Sequence, residues 1–249
     1  MKRTIALCCL ATALSAVGDT FQTYDQFSIT LPPGWFWMPE NALNQFAQSI
    51  DALSPETPGQ VYDYGFQYGN TDKWFTYPYI LIQVRPVGRI PTGEMARYSK
   101  VKRGMEESLD QVREGLASVL AEASAGDPVF DDENRILWTS MSMELQSGVL
   151  VRSLIAVKLT ETGLIQLSGY ATADTYDEYE PIFREAFATI ELDEAIRYVP
   201  QITDHAPVIG NINLGKVFIL CLQAALAGGV LWILYALIRR SVRHALKRD

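Results

Sequence analysis

The chain has 249 residues, room for one ordinary domain with appendages, and its 48% apolar and 20% charged content excludes a disordered chain. The formal charge of -8 is unevenly spread: residues 1–18 carry Lys2 and Arg3, residues 213–249 carry six cations against Asp249, and the stretch between holds 13 Lys/Arg and 28 Asp/Glu. A middle of net charge -15 repels nucleic acid, whose binding rests on neutralised phosphates.

In chain order, the basic pair Lys2 and Arg3, an apolar run from Thr4 to about Ala13, and the small residues Ala16 and Gly18 predict a signal peptide over residues 1–18, cut near Gly18/Asp19. Phe27–Leu31 (FSITL) alternates and stops at Pro32, Pro33 and Gly34, the pattern of a strand and turn. Pro39 and Glu40 open a helix whose apolar stripe is Leu43, Phe46, Ala47 and Ile50. Tyr62–Tyr68 and Tyr79–Val84 follow as strands. From about Glu94 to Ala123, Met95, Tyr98, Val101, Met105, Leu109, Val112, Leu116 and Val119 step by three or four, which predicts one long helix ended by Asp127 and Pro128. Ile136–Leu145, Val149–Leu159 and Leu164–Thr172 are three strands joined by short turns at Gln146–Gly148 and Glu161–Gly163, hence a meander. Asp177–Ile190 is a closing helix with Tyr179, Ile182, Phe183 and Phe187 inward. Residues Asp193–Asn213, with Pro200 and Pro207, have the composition of a tether.

Val217–Ile238 is 22 residues long with Gln223 as its one strongly polar side chain. At 1.5 Å per residue such a helix covers about 33 Å, against about 30 Å of hydrocarbon. A transmembrane helix is therefore predicted over residues 214–238, with a basic tail at 239–249 (Arg239, Arg240, Arg243, Lys247, Arg248) that the positive-inside rule puts in the cytoplasm. The signal peptide demands the same orientation. The expected location is the cytoplasmic (inner) membrane of a bacterium, with residues 19–192 as a domain in the periplasm or outside. Within the span, Ala224 with Gly228 and Ala225 with Gly229 are small residues four apart, a spacing that lets two helices approach and makes a homo-oligomer possible through the membrane.

Strand, helix, two strands, long helix, three strands, helix is the order of an α+β fold, an antiparallel sheet with helices packed on its faces. The segment FSITLPPGW at Phe27–Trp35, the early helix, the paired strands, the long helix, the meander and the final aromatic helix resemble the PsbP-like superfold, over roughly Thr20–Leu192. Photosystem extrinsic subunits, the bacterial lipoprotein DcrB and a Ran-binding nuclear import factor share that superfold. The resemblance implies a non-catalytic binding or assembly module; no functional residue of the family maps onto a position here, and the C-terminal span departs from soluble or lipid-anchored members.

The residue inventory narrows the chemistry. Residues 19–212 contain no cysteine, so neither a disulfide nor a thiolate serves the domain. The two histidines, His205 and His244, fall in the predicted tether and tail, which leaves a Ser-His-Asp triad without its base and a zinc site without its usual ligands. No phosphate-binding glycine loop occurs, and no cofactor is expected. Asp131, Asp132 and Glu133, near Asp127 and Asn134, form an oxygen-rich stretch that is a weak calcium candidate: its spacing fits no EF-hand, and the favoured reading is a solvated turn between helix and strand. Arg97, Lys100, Lys102 and Arg103 make the one basic cluster of the domain. Aromatics are in excess: Tyr62, Tyr64, Phe66 and Tyr68 recur every second residue, with Trp74 close behind, which suggests either a surface for a protein or envelope ligand or a sheet face covered by a helix.

The sequence therefore points to a membrane-anchored, extracytoplasmic, non-catalytic binding or assembly module of unknown partner. Two alternatives are a carboxylate-dependent hydrolase acting on cell-envelope material and a structural subunit of a membrane complex that associates through its transmembrane helix.

Overall fold

Strands that are apolar on both sides need cover on both faces, and this chain supplies two different layers. The computed structural model describes residues 18–53, 62–95, 102–103, 106, 109–110, 117, 119–205, 225 and 228–229. Its elements are β1 (Asp19–Gln22), β2 (Phe27–Leu31), β3 (Trp35–Trp37), α1 (Glu40–Leu53), β4 (Tyr64–Tyr68), β5 (Tyr79–Arg85), α2 (Thr92–Met95), β6 (Leu120–Ala125), β7 (Val129–Asp131), β8 (Ile136–Leu145), β9 (Leu150–Leu159), β10 (Leu164–Thr172), α3 (Tyr176–Ala188) and β11 (Glu191–Leu192), followed by a 3-10 turn at Ile202–His205.

The main sheet has eight strands in the order β3-β4-β5-β10-β9-β8-β6, with β7 paired beside β8; a small sheet runs β1-β2-β11. The pairings are antiparallel, as expected for the α+β class. The meander forms β8, β9 and β10, and its first turn closes at Gly148, whose φ of 81° lies in the left-handed region that a side chain disfavours. The β4–β5 hairpin joins by laying β5 against β10, Tyr79 opposite Tyr170 through Arg85 opposite Leu164.

Alternation along each strand sorts side chains into two cores. On one face, Ile80, Ile82, Leu154, Ile165 and Leu167 meet α3, through Phe183 and Phe187, and the small sheet, through Phe27, Ile29 and Leu31. On the other, Tyr79, Leu81, Met141, Met143, Val151 and Tyr170 are covered by Leu43 and Phe46 of α1, Met95 of α2, Leu109, Val119 and Ala225. α3 sits close to the sheet because Gly169 on β10 has no side chain; a Cβ there would lie 2.5 Å from Phe183 Cγ.

Two expectations are corrected. The helix predicted through Ala123 does not extend that far: α2 spans four residues, Lys102, Arg103, Glu106, Leu109 and Asp110 are helical, and Leu120–Ala125 is strand β6, paired with β8. The register shifts between Leu120 and Glu122, so the buried residues Leu120 and Ala123 fall three apart, a helix-like step produced by a bulge. The segment after Asp193 also begins as part of the domain. Arg197 bridges to Thr160, Tyr198 is buried in the core, and Asp204 is 2% exposed. Proline and polar composition concealed these contacts.

Among the described residues no helix is long and apolar enough to cross a membrane. Residues 1–17 of the predicted signal peptide, the tail at 239–249, and all of the predicted span except Ala225, Gly228 and Gly229 lie outside the described residues.

Candidate functional site

Alternation on β4 places Tyr64, Phe66 and Tyr68 on one face; the strand begins at Tyr64, and Tyr62 belongs to the opposite core, its ring 5.1 Å from Phe46. Phe66 is buried against Phe21 and Trp37, at ring distances of 5.0 and 5.4 Å. Tyr64 is buried too, and its hydroxyl donates to Asp25 Oδ2 at 2.5 Å. Burial, then the adjoining carboxylate, pushes that hydroxyl's pKa up to about 12. Trp74 is half-buried against the α1-side core. Of the row, Tyr68 is the residue that reaches solvent, 43% exposed, with its ring 5.8 Å from Trp35 and 6.0 Å from Tyr179. Phe36, 45% exposed, lies on β3, the end strand of the main sheet, where it pairs with Gln67 and so projects from the face opposite Tyr68. The accessible aromatics at this edge of the sheet are thus Tyr68 with half-buried Tyr179 on one face and Phe36 on the other, rather than the whole row.

A second aromatic cluster lies beneath the α1-side cover. Tyr77 stacks on Tyr79 at 5.1 Å, Tyr79 lies 5.1 Å from Tyr170, and Tyr62 joins them in the same core. Burial raises the pKa of all four hydroxyls. Here the fold meets the C-terminal small residues. Tyr77 donates its hydroxyl to the Gly229 carbonyl at 2.5 Å, Tyr79 donates to the Gly228 carbonyl at 2.5 Å, and Ala225 is fully buried. A Cβ at Gly228 would strike the Tyr170 hydroxyl, and one at Gly229 the Met143 methyl. Of the predicted helix-association residues, Ala225, Gly228 and Gly229 therefore face the domain's own sheet; Ala224 lies outside the described residues.

The acidic stretch is a turn between β7 and β8. Asp131 accepts from the Asn134 backbone N–H at 3.0 Å and from its side-chain amide at 2.8 Å, bonds that hold the Asp131 carboxyl below its usual range. Asp132 pairs with Arg135. Among the described residues no group of three His, Cys, Asp or Glu is placed to hold a metal ion, so Asp131, Asp132 and Glu133 do not converge on a calcium site. From the basic cluster, Lys102 pairs with Asp127 at 2.6 Å on the surface, while Arg97 and Lys100 lie outside the described residues.

An open groove of 680 Å³ runs where β2 and β11 meet β9, lined in part by Gln22, Lys158, Glu191, Asp193 and Arg197. Its cations are committed to the frame: Lys158 donates to the Asn134 carbonyl at 2.6 Å, and Arg197 to the Leu192 carbonyl at 3.2 Å. Burial lowers the Lys158 pKa. Its volume suits a small ligand, but the mixed signs along its lining single out no ligand charge.

Among the described residues, a densely connected polar group escaped sequence reasoning. Arg89 Nη1 and Nη2 donate to the two Asp204 carboxylate oxygens at 2.6 and 2.9 Å, and its Nε lies 3.1 Å from Glu161. Tyr198 donates to Asp204 at 3.0 Å. Asp204 is 115 residues from Arg89, and no local pattern marks the pair. For the tyrosine cluster a partial signal did exist, since Tyr77 and Tyr79 stand two apart.

The architecture defines an α+β protein with one large antiparallel sheet between a helical cover and a layer made of a helix and a small sheet. No family model matches the chain, and no curated protein matches it. Among solved structures it is similar to the cyanobacterial PsbP (CyanoP) of Synechocystis sp. PCC 6803, at 13% identity and a TM-score of 0.42, over 73% of this chain and 96% of that one. It is also similar to a protein of Bacteroides thetaiotaomicron VPI-5482, at 16% identity and a TM-score of 0.35, over 73% of this chain and 51% of that one, about half its length. At these levels the likeness carries no argument about the site.

Proposed function

We propose that the chain is a membrane-anchored extracytoplasmic binding or assembly module with no catalytic role, whose partner is a protein or ligand of the bacterial envelope. The observation that supports binding is the aromatic edge of the main sheet, where the end strand β3 presents Phe36 on one face and Tyr68 with Tyr179 lies on the other. Exposed aromatic rings offer large contact area at small entropic cost, and the end strand of a sheet is where a partner's strand can be added. The anchor in this proposal is the apolar segment 214–238 followed by the basic tail, with the domain delivered outside by the signal peptide.

Affinity capture of the tagged full chain from detergent-solubilised membranes tests it. The expected result is a co-purifying partner whose recovery falls at least about tenfold in Phe36→Ser/Tyr68→Ala, as loss of an aromatic anchor does, with the melting temperature little changed. Equal recovery by that variant overturns the aromatic edge as the contact surface. Loss of the partner only when the span is replaced would instead favour a membrane-complex subunit.

A further inference from the structure

We infer that the tyrosine-lined face of the main sheet is a binding site for a helical small-residue stripe, and that its occupant is this chain's own Ala225, Gly228 and Gly229. The site has both shape and polar chemistry. Shape comes from Tyr170 and Met143, which leave no space for a Cβ at Gly228 or Gly229. Chemistry comes from Tyr77 and Tyr79, whose buried hydroxyls reach the backbone carbonyls of Gly229 and Gly228 at 2.5 Å. A glycine carbonyl on a helix is open to such a donor because no side chain screens it. The Tyr170 hydroxyl, fully buried, lies directly against Gly228 and closes the face to any larger residue there.

The occupant is within reach of its own domain. About 20 residues separate His205 on the domain from Ala225, a length that extends to about 66 Å at 3.3 Å per residue. Nothing beyond the chain itself is needed to fill the site. The consequence is competition. The stripe that suits close approach of two membrane helices is the stripe held by the tyrosines, so docking and the membrane anchoring proposed above are alternative states of one segment: while docked it is withheld from both the bilayer and a second helix. The domain acts as a holdfast for its own apolar segment. This does not depend on the partner proposed above, and its test changes residues that the capture experiment leaves intact.

The full chain carrying Met143→Cys and Gly229→Cys, with Cys221→Ser to remove the other thiol beyond the predicted signal peptide, is oxidised in mild detergent and resolved without reductant. A disulfide within one chain is expected, because trimming Met143 makes room beside Gly229. Two free thiols, or a disulfide joining two chains, overturns the assignment of the occupant. A second measurement does not need that pair. Reconstituted into vesicles of brominated phosphatidylcholine, a Gly229→Leu chain is expected to show more lipid quenching of its tryptophan emission than the parent, a gain that Trp232→Phe removes, because the added side chain cannot enter against Met143. Quenching equal to the parent's overturns the proposal.

Discussion

Arg89 shows how one side chain can attach a segment that composition assigns to a linker. Its guanidinium forks onto Asp204, adds the Val199 carbonyl at 2.9 Å, and packs 4.5 Å from the Tyr198 ring centre. Asp204 also accepts from the Gln201 N–H at 2.9 Å. The Arg89 bond, followed by those backbone and tyrosine donors, holds the Asp204 carboxyl down to about 2, against 3.8 without partners. A carboxyl depressed in the folded state stabilises fully above its unfolded pKa and loses that contribution as pH falls through the folded value. Acid melts should therefore show a stability loss between about pH 4 and pH 2 that Asp204→Asn removes. Arg89→Ala leaves Asp204 buried without its cation and should cost about 3 kcal/mol in urea denaturation at neutral pH. Exposed pairs such as Lys102 with Asp127 should contribute under about 1 kcal/mol.

At the scale of elements, the meander was legible because its strands are long, nine or ten residues each, and divided by short glycine-containing turns. The early helix was legible from its stripe. Strands β1, β3, β7 and β11 were missed because two to four residues show no period, and long-range pairing makes them strands. The stretch ending in β6 was misassigned because a bulge imitates a helical step. Packing of α3 on β10 was likewise hidden, since it turns on a contact between Gly169 and Phe183. Gly169→Ala should lower stability by about 1–3 kcal/mol, because the added methyl overpacks a contact between a strand and a helix that are both part of one core. Chemical denaturation checks this, and trimming the ring in Gly169→Ala/Phe183→Leu should recover part of the loss.

The whole molecule is built around buried tyrosines. The hydroxyls of Tyr62, Tyr77, Tyr79 and Tyr170 sit in the α1-side core, all raised chiefly by burial, and Tyr64 and Tyr176 are pushed up to about 12 from 10.0. A tyrosine raised in the folded state keeps its proton there longer than in the unfolded chain. Its stabilising contribution is complete below about pH 10 and is lost as pH rises through about 12 and above. Spectrophotometric titration should show a large fraction of phenolate appearing together with the loss of circular dichroism, in one alkaline transition. Phenolate formation from these residues in a still-folded chain would contradict the packing described.

From the sequence, one could already determine the α+β order, the meander, the early and closing helices, the acidic middle, the lack of cysteine in the domain, and an apolar segment of spanning length near the C-terminus. These are local or compositional properties, expressed in period, length and charge, and they survive without knowledge of neighbours. Tertiary structure decided which aromatic residues are accessible. It turned a row of four into one exposed Tyr68, two rings in one core and one in the other. It also decided that Asp204 answers Arg89 and that Gly228 and Gly229 answer Tyr79 and Tyr77. Such contacts join residues more than a hundred positions apart, and burial or pairing across that distance depends on how strands are ordered in the sheet, which no short-range pattern encodes.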